Sequence, residues 1–186
     1  MPQGKLFLIP NVLAENTAME VISPQVREVI AHTTYFLVEN LRTARRYISS
    51  LKLGINIEEL HLEILDKDTP PEQIARLMQP LLKGVDIGVI SEAGCPGIAD
   101  PGALAVAYVH QKGIQVVPIS GPSSMFMALM GSGFSGQSFA FHGYLPIDKK
   151  ERAATLKKLE QESLREKRAQ LFMETPFRNN QLLADA

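Results

Sequence analysis

The chain has 186 residues, 45% apolar and 21% charged, and its 19 basic and 20 acidic side chains leave a net charge of −1. That length and balance suit one globular domain or two small ones with a real core, and exclude a protein that holds nucleic acid by bulk charge. No apolar stretch approaches the ~20 residues of a membrane span. Cys95 is the single cysteine, which rules out an intramolecular disulfide and a multi-cysteine metal site. The chain moves directly from Met1 into a strand pattern, without the charged start and apolar core of a signal peptide, so the expected location is the cytoplasm.

In chain order, the apolar run at 5–10 stops at Pro10 and reads as a buried strand. Residues 11–22 show no period and read as a loop. Ser23-Pro24 supplies an N-cap and a proline at the first helical position, ahead of a stripe of Val26, Val29 and Ile30. The β-branched and aromatic run 34–38 is a second strand. Leu41, Ala44, Ile48 and Leu51 recur at helical spacing, and Gly54 is placed to end that helix. Arg42, Arg45, Arg46 and Lys52 share this helix and read first as a solvated face. Residues 61–65 form a third strand. Thr69, Pro70 and Glu72 then suit a cap, a first-turn proline and a capping box for one helix with Ile74, Leu77, Met78, Leu81 and Leu82 inward and Gly84 closing it.

Residues 86–90 form a fourth strand, followed by an expected helix with Leu104, Ala107 and Tyr108 inward and a fifth strand at 114–119. Strands alternating with helices imply a parallel sheet with right-handed crossovers. After a turn at 120–124, a Met- and Phe-rich helix reads as core. A strand at 138–145, a long helix capped by Asp148, a strand at 171–174 and a helix starting at Thr175-Pro176 follow. The expected domains are 1–119 and 120–186. The second has only two strand patterns, thin for an independent sheet, and reads as incomplete or completed by a partner chain.

The chemistry concentrates at 91–102, Ser-Glu-Ala-Gly-Cys-Pro-Gly-Ile-Ala-Asp-Pro-Gly. Gly94, Gly97 and Gly102 allow backbone to approach a ligand, and Pro96 and Pro101 fix its shape. The loop exceeds the ~2–6 residues of an ordinary strand-to-helix connection and belongs at the carboxyl end of its strand, where α/β sheets hold ligands. Glu92 and Asp100 suit either general-base work or the capping of nearby backbone donors. Cys95 reads as a small side chain lining the loop in preference to a nucleophile. Gly131, Gly133 and Gly136 match the letters of a dinucleotide fingerprint, but in the wrong context: after a helix and before a strand. The four histidines lack metal-ligand spacing, so no metal is expected.

Three segments taken together resemble a known family: 91–96 with Asp100-Pro101-Gly102; 118–123 followed by Phe-His-Gly-Tyr-Leu-Pro at 141–146; and Phe-Met-Glu-Thr-Pro-Phe-Arg at 172–178. In order and spacing they are similar to the tetrapyrrole methylase superfamily, the class III S-adenosylmethionine-dependent methyltransferases, and most similar to its ribosomal RNA small subunit methyltransferase I branch. The resemblance implies a parallel-sheet N-terminal α/β domain followed by a smaller α/β domain, usually in a homodimer, with S-adenosyl-L-methionine as cofactor. It further implies that Glu92, Ala93, Gly94, Cys95 and Ile98 line the cofactor site, that Ser123 and Ser124 meet it from the second domain, that Glu174 and Thr175 sit at the adenosine end, and that Pro10 borders it. RNA is the leading acceptor on this resemblance and a tetrapyrrole or other small molecule the second; a cofactor-binding module without catalysis is the reading from another class. The segments at 10–15 and 38–42 depart from the branch pattern, and Glu92 stands where the branch has Asp. These departures fall more on the substrate side than on the cofactor side.

Overall fold

The computed structural model describes residues 3–185. The chain divides into two compact units, Met1–Ser123 and Ser124–Ala186. In the first unit, strands β1 (Leu6–Ile9), β2 (Tyr35–Val38), β3 (His61–Ile64), β4 (Ile87–Ile90) and β5 (Val116–Pro118) form one sheet in the order β3-β2-β4-β1-β5, every neighbouring pair parallel. Helices α1 (Ala18–Val21), α2 (Pro24–His32) and α3 (Leu41–Ser50) pack on one face; α4 (Pro71–Leu77), α5 (Gln79–Leu82) and α6 (Gly102–Gln111) pack on the other.

Strand alternation divides the core accordingly. Ile9, Phe36, Val38 and Ile90 join the α2–α3 side, whereas Leu6, Leu37, Ile87 and Val89 join the α4–α6 side. Each such side chain taken from water contributes about 1.5–3 kcal/mol. In the centre of the sheet, Gly88 is a packing device. A Cβ there would lie 2.7 Å from both Ile9 Cδ1 and Phe36 Cδ1, so the missing side chain is the space those two fill. Pro118, which cannot donate to a ladder, lies on edge strand β5.

Several helix starts follow the sequence chemistry. The Ser23 hydroxyl accepts from Val26 N, with Pro24 in the first turn. Asn40 Oδ1 accepts from the amides of Arg42 and Thr43 at the start of α3. Others differ. Thr69 is not a cap: its hydroxyl is bound to Asp66, accepting from its amide and donating to its carboxylate, and Pro70 occupies the cap position without a side-chain bond. The single helix expected across 71–82 breaks into α4 and α5 at Met78, because Pro80 has no amide hydrogen to continue the ladder; Leu82 is left exposed. On α6 the inward residues are Ala105 and Val109, not Leu104 and Ala107. That helix is apolar nearly all round, so its periodicity could not set its phase. Within the region expected to be a loop, 18–21 form a helical turn, and α3 ends at Ser50 with Lys52 rather than Gly54 making the first left-handed step.

The second unit contains α7 (Ser124–Ser132), β6 (Phe139–Tyr144), α8 (Lys149–Glu166), β7 (Ala169–Met173) and α9 (Asn179–Asp185), with β6 and β7 paired in parallel. The last helix starts at Asn179, not at Thr175-Pro176, which lie in the turn before it. The Met-rich helix is not core: only Leu129 of α7 is buried and Met130 is 83% exposed. Asp148 caps α8 through the amides of Lys150 and Glu151. The organising polar group is Arg152, 3% exposed, whose guanidinium donates to the carbonyls of Pro146 and Ile147 and to the carboxylate of Asp185. It ties α8 to its own entry loop and to α9.

Two outcomes follow from this packing. Gly88→Ala forces a methyl group against Phe36 and Ile9 and is expected to lower stability by about 1–3 kcal/mol, read as a lower urea midpoint with unchanged m-value. Hydrogen bonding from Arg152, with help from Lys149, holds the Asp185 carboxyl below the ordinary aspartate range. A folded-state pKa that is depressed contributes stability in full above the unfolded value of about 3.9, and that stability is lost as pH falls through the folded value. Asp185→Asn should therefore lower the melting temperature at neutral pH, and scanning calorimetry should show the gap from the unaltered chain closing as the pH drops below about 4.

Candidate functional site

The connection after β1 leads to α1 and α2 on one face of the sheet, and the connection after the adjacent β4 leads to α6 on the other. Neighbouring strands whose crossovers part in this way leave a crevice at their carboxyl ends. Two loops border it, residues 10–17 and 91–101. They are joined by an isolated antiparallel bridge in which Asn11 N donates to Gly94 O at 2.8 Å and Gly94 N to Asn11 O at 3.2 Å. The Asn11 side chain, 2% exposed, completes the joint: Nδ2 donates to the carbonyls of Ser91 and Glu92 at 2.9 and 3.0 Å, and Oδ1 accepts from Val12 N. Gly94 has φ +70°, which a residue with a Cβ adopts only under strain.

A third loop closes against these two. The Cys95 thiol donates to the carbonyl of Pro122 at 3.4 Å, and a Cβ on Gly121 would fall inside the ring of Pro10. Tyr47 of α3 donates its hydroxyl to Pro10 O at 2.7 Å. Burial and the nearby Asp100 charge push the Cys95 thiol up, which is the wrong direction for a nucleophile. Its part here is to hold one loop to another.

Carboxylates gather on the same side. Glu39, just beyond β2, accepts the Glu92 amide at 3.0 Å. Burial pushes its carboxyl up, and the charges of Asp100, Glu92 and Asp66 add to this against the opposing hydrogen bond from the Glu92 amide. Asp100 Oδ1 accepts from Gly97 N and Gly102 N, both at 2.7 Å, and so shapes the loop. Burial nevertheless pushes its pKa up, and its buried Oδ2 has no partner.

Of the residues singled out in the sequence, the structure gathers Pro10, Glu92, Ala93, Gly94 and Cys95 in this loop cluster of the first unit. Ser123 follows Pro122 directly, and Ile98 is exposed in the same loop as Gly94. Ser124, Glu174 and Thr175 belong to the second unit. Glu174 there accepts from Thr175 N and from the guanidinium of Arg178. Burial works against its ionised form, but these donors prevail and leave its carboxyl below the ordinary range. His142 is exposed on β6 and bound to Gln170. Asn11, Glu39 and Tyr47 were not singled out, and the available signal was slight: an asparagine directly after a strand-ending proline, and an acid directly after a strand.

A cavity of about 260 Å³ opens beside the cluster, lined by residues 11–16, by Thr43, Arg46, Tyr47 and Ser50 of α3, and by Glu92 and Ala93. A larger one, about 510 Å³, lies on the second unit among α8 and β7, where Asp185 is already committed to Arg152. Among the described residues no group of three or more histidine, cysteine or acidic side chains is placed to hold a metal ion, and no helix is long and apolar enough to cross a membrane.

The chain is 30% identical over 188 residues to ribosomal RNA small subunit methyltransferase I of Vibrio cholerae, covering 100% of this chain and 61% of that protein. It is 32% identical over 164 residues to the Xylella fastidiosa protein of the same name, covering 88% of this chain and 57% of that one. The chain is similar over most of its own length to proteins named ribosomal RNA small subunit methyltransferase I. It spans about three fifths of the length of these relatives. Uroporphyrin-III-C-methyltransferase from Thermus thermophilus superposes with a TM-score of 0.52 at 20% identity, over 77% of this chain and 64% of that one, and so shares the α/β fold. No family model matches the chain.

The joint at Asn11 yields a direct test. Asn11→Ala strands two carbonyls and should cost about 1–3 kcal/mol. Asn11→Asp sets a carboxylate against those same carbonyls and should cost more. Urea unfolding at pH 7 ranks the two, and equal losses would show that the Nδ2 donors do not hold the loops together.

Proposed function

We infer that the chain is an S-adenosyl-L-methionine-dependent methyltransferase acting on RNA, at a ribose hydroxyl. The observation that carries this reading is the bridged loop pair at the switch point of the sheet, in a chain homologous along its length to proteins named ribosomal RNA small subunit methyltransferase I. The names of those relatives favour RNA over a tetrapyrrole acceptor, and the likeness to the uroporphyrin enzyme speaks to fold alone.

The residues present fit the cofactor. A sulfonium and an ammonium group are cationic, and Glu39, Glu92 and Asp100 make the crevice acidic, with Asp100 Oδ2 buried and unpartnered. In this reading Pro10, Glu92, Ala93, Gly94, Cys95, Ile98 and Ser123 are the first unit's contribution to binding, and the absence of a side chain on Gly94 lets the loop take the left-handed turn that shapes this wall. Ser124, Glu174 and Thr175 are assigned on the resemblance alone. When bound, S-adenosylmethionine supplies an electrophilic methyl group. The chain's own work is then to orient donor and acceptor and to exclude water. A hydroxyl acceptor must also give up its proton. Asp100 is tied to two backbone amides, which leaves Glu92, with no side-chain partner among the described residues, as the carboxylate of this loop free to take it. By the same resemblance the working form is a homodimer.

Calorimetric titration with S-adenosylhomocysteine tests the reading. Saturable binding is expected for the unaltered chain and loss of at least about tenfold in affinity for Ile98→Lys, which sets a cation at an exposed position of the loop. Gly94→Trp should abolish binding and, because a side chain at φ +70° strains the joint, also lower the unfolding midpoint, with circular dichroism checking that the secondary structure is kept. No binding by the unaltered chain, or full binding by both variants, would overturn it.

A further inference from the structure

The methyltransferase reading leaves the acceptor without a place on the chain, and the surface of α3 offers one. Its inward face is Ala44, Tyr47 and Ile48. Its outward face carries Arg42, Arg45 and Arg46, with Lys52 just beyond, and Arg46 also lines the cavity of about 260 Å³. Arg42 and Arg45 lie in the first half of the helix, toward the positive end of its dipole, where cations are disfavoured. The first turn of α3 contains no acid. Helix stability therefore does not account for them, and a solvated face needs no such arrangement. Among the described residues neither Arg42 nor Arg45 has a carboxylate partner. Arg46 pairs with Glu15 at 3.3 Å, their side chains 63% and 81% exposed. Such a pair contributes little and opens readily.

The placement of this pair matters. Arg46 lies on the helix wall of the cavity and Glu15 on the opposite loop wall, so their contact links the two sides. The third side is Glu92 and Ala93, the start of the loop assigned above to the methyl donor. Thr43, Ser50 and Asn16 add hydroxyl and amide groups to the lining. The volume lies just below the ~300–1,000 Å³ common for ligand sites, enough to seat one nucleoside. Charge is thus divided between an acidic crevice, suited to a cationic donor, and a basic helix a few residues away, suited to a polyanion.

We propose that this cavity receives the acceptor nucleoside of a single-stranded RNA, with Arg42 and Arg45 holding the phosphates that flank it and the Glu15–Arg46 pair parting to admit it. The proposal rests on the methyltransferase reading and adds to it the face by which the substrate is held. Phosphate contacts of this kind position the strand and carry no sequence information.

The test is fluorescence anisotropy of a labelled single-stranded RNA oligonucleotide, run beside the S-adenosylhomocysteine titration. The double reversal Arg42→Glu/Arg45→Glu should weaken RNA binding at least about tenfold at low salt and flatten the dependence of log K on log salt by about 1.4, roughly 0.7 for each phosphate no longer neutralised. Its affinity for S-adenosylhomocysteine should not change. Ala14→Trp, a change at an exposed wall of the cavity, should likewise reduce RNA binding and spare the cofactor analogue. The matched reversal Lys83→Glu/Lys112→Glu alters net charge equally, but both lysines lie in helix-to-strand connections at the other end of the sheet. It should leave RNA binding as it was. RNA binding that is absent, indifferent to the arginine pair, or equally reduced by the lysine pair overturns the proposal while cofactor binding stands. Failure of the unaltered chain to bind S-adenosylhomocysteine overturns the underlying reading and this proposal with it.

Discussion

Two strands side by side in a parallel sheet send their chains away over opposite faces, and something must close the gap between the departing backbones. Here it is closed by the peptide groups of Asn11 and Gly94, each donating to the other, with the Asn11 amide group filling the remaining acceptors on the β4 loop. Peptide groups this deep must be paired, since an unpartnered one costs about 1–3 kcal/mol. Every other feature of the site depends on this closure. The same drawn-in loop carries the Cys95 thiol to Pro122 and the Glu92 amide to Glu39, and Asn11 itself lines the cavity beside α3.

Much of the architecture was legible because the determinants are local. The short apolar runs at β1, β2 and β4 and the proline and serine at the start of α2 act within a few residues, and the structure carries them as read. Where the sequence misled, two local signals competed or none was present. Thr69 had Asp66 within reach as an alternative partner and took it. On α6, apolar residues cover so much of the helix that any rotation looked plausible, and only packing against the sheet selects Ala105 and Val109. The Met-rich α7 failed for the converse reason: composition suggests burial, but burial needs enough neighbours, and Phe126, Met127 and Met130 stay exposed.

The loop at 91–102 announced itself by its glycines and prolines, whereas Asn11, Glu39 and Tyr47 did not. Their roles are pairings across 83, 53 and 37 positions of sequence, to Gly94, Glu92 and Pro10, and no local pattern encodes a partner that distant. The basic stripe on α3 was visible as composition, but its relation to a cavity is a product of topology. Strand order alone brings the loop after β1, the helix after β2 and the loop after β4 to one end of the sheet.

The close seat of Gly121 on Pro10 has a kinetic side. With no side chain between them, and with the Cys95 thiol and the Tyr47 hydroxyl fastening the adjoining carbonyls, the three loops have little freedom to move separately. A ligand arriving on this unit finds its wall already built and spends little of its binding energy on ordering it. Association here is then governed by diffusion and charge, without a slow rearrangement of these loops ahead of it.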